Sequence, residues 1–68
     1  MKVYINGEER EVPQGLSIKG LLEFLNIPIR NVGLAIAVNQ TVVPKSQYED
    51  VFLKEGDRIE IVHIVGGG

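Results

Sequence analysis

The chain has 68 residues, 44% of them apolar, with no cysteine, one histidine and a formal net charge of -2. A chain this short leaves room for a single core, and without cysteine it has no disulfides, iron–sulfur clusters or thiolate zinc sites to brace it. Its basic residues, Lys2, Arg10, Lys19, Arg30, Lys45, Lys54 and Arg58, are scattered among acids, whereas a nucleic-acid binder of this size needs a basic face. Nucleic acid is therefore not an expected partner. The longest apolar run, Leu34 to Val38, falls far short of the roughly 20 residues of a membrane helix. Met1 to Asn6 runs at once into Gly7–Glu8–Glu9–Arg10, which is not the pattern of a signal peptide. A cytoplasmic protein with no membrane partner is the expectation.

Lys2 to Asn6 alternates, with Val3 and Ile5 on one face, and predicts a half-buried strand. Asn6–Gly7 supplies the pair that tolerates positive φ in a tight type I′ hairpin, and Glu8 to Val12 returns as a more polar strand ended by Pro13–Gln14–Gly15. Ser17 is placed as a helix N-cap, with Leu16 and Leu21 at the positions of a hydrophobic staple. Ile18, Leu21, Leu22 and Leu25 recur at helical spacing as one apolar stripe. Asn26 and Pro28 are expected to end the helix. Gly20 costs roughly 0.8–1.0 kcal/mol against alanine inside a helix and suggests a close approach of helix to sheet.

Leu34–Ala35–Ile36–Ala37–Val38 is the most apolar strand candidate and is placed centrally, its large residues facing the helix. Pro44 to Asp50 reads as an irregular connection with a short helical turn, and Val51–Phe52–Leu53 as a short edge strand. Lys54–Glu55–Gly56–Asp57 is a turn, and Arg58 to Val65 a long final strand. The order predicts an α+β fold, a mixed sheet of four to five strands with one helix packed across one face. Residues 1–65 form the folded domain and residues 66–68 a flexible tail.

Catalytic constellations are missing from this pattern. Ser17 and Ser46 have only His63 as a base, with no elbow or triad spacing. Gly15 to Gly20 lacks the glycine-lysine-serine order of a phosphate loop, and no helix follows Gly66–Gly67–Gly68 to present its amides to phosphate. A lone His63 does not make a metal site, so none is expected. The acid pairs Glu8/Glu9 and Glu55/Asp57 lie in turns and are read as solvated. The chain alone is not expected to be an enzyme.

One feature stands apart: an apolar strand feeding three glycines. Such glycines also occur at frayed ends. Without Cβ atoms, however, Gly66 to Gly68 can thread a narrow cleft and project a carboxylate about 10 Å. With Ile59 and Ile61 in the core, Val62 and Ile64 point outward near the tail. Two readings stay open for them, ordinary sheet surface or a docking patch that seats a partner while the tail enters its active site.

Several stretches then carry a resemblance: Ile5–Asn6–Gly7, Ala35 to Asn39, Val42 to Tyr48, Leu53 to Ile61, and Val62 to Gly68. In length, order and terminal glycines the whole chain resembles the ThiS family of sulfur carriers, in the ubiquitin-like β-grasp superfamily. The superfamily's terminal diglycine falls on Gly67 and Gly68, with Gly66 as a spacer. The resemblance implies a carrier with no bound cofactor, monomeric when free. A ThiF-like adenylating enzyme would use ATP and Mg²⁺ to activate the Gly68 carboxylate as an acyl-adenylate. Sulfur supplied through a cysteine desulfurase would convert it to a thiocarboxylate, and a ThiG-like thiazole synthase would take that sulfur for thiamine biosynthesis. The rival readings are a sulfur carrier for molybdopterin or for amino-acid biosynthesis, a ubiquitin-like protein modifier joined to lysines through Gly68, and a β-grasp module with an idle tail. Ile61 to Val65 has no proline, unlike the molybdopterin synthase small subunits, which favours the thiazole branch.

Overall fold

The computed structural model describes residues 1–28 and 33–63, with His63 described by its backbone alone. The first strand, β1 (Lys2–Ile5), buries Val3 and Ile5. Asn6 and Gly7 then both take left-handed backbone angles, φ 51° and 86°, as a type I′ turn requires. The chain returns as β2 (Glu8–Glu11), antiparallel from Lys2↔Glu11 to Ile5↔Glu8. Every β2 residue is exposed, and charges on an edge strand discourage pairing with other chains.

Helix α1 spans Ile18–Phe24. Its N-terminus forms where the sequence places it, with the Gly20 amide donating to Ser17 Oγ at 3.1 Å. Ile18, Leu21 and Leu22 are fully buried and Leu25 packs against them. At the other end Asn26 adopts φ 59°. The Asn26 amide donates to the Glu23 carbonyl at 3.1 Å and the Ile27 amide to the Leu22 carbonyl at 2.8 Å, the paired bonds of a Schellman motif. Asn26 makes the stop, before the constraint that Pro28 places on Ile27 comes into play. A Cβ on Gly20 would meet Leu16 Cδ2 at 3.1 Å, so the close approach there is to the Leu16 side chain and not to the sheet.

Strand β3 (Leu34–Val38) turns through Asn39 and Gln40, at φ 51° and 73°, into β4 (Thr41–Val43). A single 3-10 turn covers Lys45–Gln47. The last described strand, β5 (Arg58–His63), pairs antiparallel with β3 from Leu34↔His63 to Val38↔Ile59 and parallel with β1 at Tyr4↔Arg58 and Ile5↔Ile59. The five-stranded sheet has the order β2-β1-β5-β3-β4. Ile18, Leu21 and Leu22 of α1 close a core with Val3, Ile5, Ile36, Val43 and Ile59. This is the β-grasp arrangement of the expected α+β class.

Two expectations need correction. The central strand is β5, not β3. The apolarity of β3 comes from the small Ala35 and Ala37 on its open face, whereas β5 carries Arg58 and Glu60 there, so composition misleads about position. The edge strand is Thr41–Val43, not Val51–Phe52–Leu53. Phe52 makes an isolated bridge with Ser17, and the Leu53 amide donates to the Leu16 carbonyl at 2.8 Å, so that segment pins the helix entry. The expected strand end and domain boundary at Val65 lie outside the described residues.

Candidate docking face and base of the tail

The open face of the sheet divides in two. On β1 and β2 it carries Lys2, Tyr4, Glu9 and Glu11, with Lys2 Nζ 3.7 Å from Glu9 Oε2. The Arg58 guanidinium lies 5.2 Å above the centre of the Tyr4 ring, a cation–π contact. Toward β4 the charges give way to apolar side chains. Val62 lies opposite Ala35, and Ala37 stands between Glu60 and Val42. Val62 is 52% exposed and Val42 71%. Two β-branched side chains over a floor of alanines make a low apolar patch, rimmed by Glu60 and Arg58.

Asparagines in the Asn6–Gly7 and Asn39–Gln40 turns hold β5 at its start and at Ile61. Asn39 Oδ1 accepts from the Arg58 amide at 3.0 Å and its Nδ2 donates to Asp57 Oδ1 at 3.0 Å. Farther along the strand Asn6 Oδ1 accepts from the Ile61 amide at 2.9 Å, and its Nδ2 donates to the Ile61 carbonyl at 3.2 Å. Titratable groups shifted from their ordinary values lie elsewhere. The hydrogen bond and charge of Glu49, with Oε2 3.0 Å from Lys19 Nζ, hold the Lys19 ammonium above its usual value, with a lesser contribution from Glu23. Burial pushes the Tyr48 phenol up.

Of the residues singled out from the sequence, Val62 faces outward as expected. Ile64, Gly66, Gly67 and Gly68 lie outside the described residues. Val42 was not picked out. Its signal is the outward position beside the buried Val43, hidden because no glycine marks the Asn39–Gln40 hairpin. The role of Asn6 was missed as well, since turn propensity already accounts for an asparagine there. Among the described residues no group of three His, Cys, Asp or Glu side chains is placed to hold a metal, and no helix is long and apolar enough to cross a membrane.

Residues 3–68 match the family model described as the ThiS family. The chain belongs to the ThiS family. The sulfur carrier protein ThiS of Escherichia coli is 31% identical over 68 residues, covering all of both chains. A thiazole synthase of Paramagnetospirillum magneticum is 43% identical over the whole of this chain, which spans only 20% of that protein's length. In fold, the chain is similar to the crystal structure of the thiamine biosynthesis protein ThiS from Geobacter metallireducens, with a TM-score of 0.83, 24% identity and full coverage of both chains. This ThiS-family chain thus has the β-grasp fold of that structure, and it spans about a fifth of the length of the thiazole synthases it matches.

Proposed function

We propose that the chain carries sulfur as a thiocarboxylate on Gly68 and delivers it for thiazole formation in thiamine biosynthesis. The observation that carries this reading is the family match running through Gly68. Residues 1–65 serve as the folded handle, and Gly66 and Gly67 thread the reactive end into the partner. An α-carboxyl has an ordinary pKa of about 3.3–3.7, so at neutral pH it is an anion and a poor electrophile. Activation is needed. A carboxylate oxygen attacks the α-phosphorus of ATP in a ThiF-like enzyme that supplies Mg²⁺, and pyrophosphate leaves. A persulfide sulfur, drawn through a cysteine desulfurase, then attacks the acyl carbon and AMP departs. A thiol cleaves the resulting acyl disulfide, is itself oxidised to a disulfide, and frees the thiocarboxylate. A ThiG-like thiazole synthase is the acceptor, and a protein of that name carrying a segment similar to this whole chain supports it.

The apolar half of the open face, Val62 with Val42 and Ala35, is the docking patch, and Ile64 is assigned to the same contact from the sequence alone. Exposed apolar side chains next to the outgoing strand favour this over ordinary surface. The test is an intact mass spectrum of the chain co-expressed with its adenylating enzyme and sulfur source. A species heavier by one oxygen-to-sulfur replacement is expected, and deletion of Gly68 abolishes it while the melting temperature stays unchanged. An unmodified wild-type chain beside an active enzyme would overturn the reading. Adducts on lysines in its place would make the chain a protein modifier.

A further inference from the structure

Strand β1 accompanies β5 only briefly. Its last rung is the Asn6 amide donating to the Ile59 carbonyl at 2.9 Å, after which Asn6–Gly7 turns the chain away into β2. The next rung on that side is supplied by a side chain. The Asn6 carboxamide takes both main-chain groups of Ile61, as a neighbouring strand residue would. The left-handed angle of Asn6, φ 51°, costs asparagine less than most residues and leaves the amide where β1 would otherwise have continued. We infer that Asn6 is a positioning residue for sulfur loading: its carboxamide holds Ile61, and so fixes the course of β5 through Val62 and His63, the end of the described chain nearest Gly68 in sequence.

The inference rests on the carrier reading above. Gly68 lies seven positions beyond Ile61, at most about 25 Å of extended chain. Without the carboxamide, β5 beyond Ile59 is held on the β3 side alone, through Glu60↔Ala37, Ile61↔Ile36, Val62↔Ala35 and His63↔Leu34. The orientation of Val62 in the docking patch and the approach of the tail then both loosen. Productive loading depends on presenting the carboxylate in a narrow range of geometry, and small misplacements are costly. Asn39 provides an internal control. It shares φ 51° with Asn6 and also bonds β5 through its side chain, but at Arg58, the end away from the tail.

The experiment compares Asn6→Gly, Asn6→Asp and Asn39→Gly with wild type, measuring kcat and KM for the carrier in thiocarboxylate formation, thermal stability, and hydrogen exchange of the Ile61 amide. Glycine keeps the left-handed turn and removes only the clamp. Aspartate keeps an acceptor for the Ile61 amide but has no donor for its carbonyl. Asn6→Gly is expected to exchange Ile61 faster and to lose about tenfold or more in kcat/KM, mainly through KM. Asn6→Asp should fall between it and wild type. Asn39→Gly should load within about twofold of wild type at a matched folded fraction. Normal loading by Asn6→Gly, or equal losses in Asn6→Gly and Asn39→Gly, would overturn the inference while wild-type loading leaves the carrier reading intact. A wild-type chain that does not load overturns both.

Discussion

Ile59 and Val62 are three residues apart on one strand, both β-branched and apolar, and they face opposite sides of the sheet. Ile59 is 1% exposed and belongs to the same buried core as residues of α1 and β1, whereas Val62 is 52% exposed beside Ala35. The inner side of β5 thus belongs to folding. Its outer side carries the exposed Val62, which the proposed docking patch assigns to a partner. A 68-residue chain without cysteine, and so without disulfides, has little stability to spare, so keeping a patch of valines off the core is a real cost. That cost makes sense where the patch is covered part of the time by another protein.

Truncation separates the two faces most sharply. Ile59→Ala should lower the unfolding free energy by about 2–5 kcal/mol, as for other buried isoleucines, and Val62→Ala by no more than about 0.5 kcal/mol. Urea denaturation of both variants makes the check, and a comparable loss in Val62→Ala would mean that the outer face also supports the fold. A smaller effect concerns Tyr48, buried against the core. Burial raises its phenol above the ordinary value of 10.0, so the folded state disfavours phenolate. The associated stability is fully present below about pH 10 and is lost as pH rises through the folded-state value. Tyr48→Phe should flatten the decline in the urea midpoint above about pH 10. An unchanged slope would show that other groups set the alkaline limit.

Much of the inner face was legible in the sequence because its signals are local and periodic. Ser17 capping Gly20, the Ile18–Leu21–Leu22 stripe, the Asn6–Gly7 turn and the alternation of Val3 with Ile5 each follow from a few adjacent residues. What was not legible depends on partners far along the chain. Thr41–Val43 becomes an edge strand through a hairpin of Asn39 and Gln40, where left-handed angles come without a glycine. Phe52 looked like strand but pairs with Ser17 instead. The centre of the sheet fell to β5, although β3 is the more apolar, since pairing on both sides comes from topology and not from composition. The outward side of Val62 followed from alternation, but its neighbours Ala35 and Val42 needed the register. The Asn6 bond to Ile61 joins residues 55 apart, and no local pattern reports it.

The division of labour across β5 is tested most directly by titrating the adenylating enzyme with the wild-type chain and with a Val42→Glu/Val62→Glu double variant, each confirmed folded. Binding by the wild type, weakened about tenfold or more in the variant while the unfolding midpoint is unchanged, is the result expected of a docking patch whose centre is apolar. Equal affinities for the two chains would contradict it and return these valines to ordinary sheet surface.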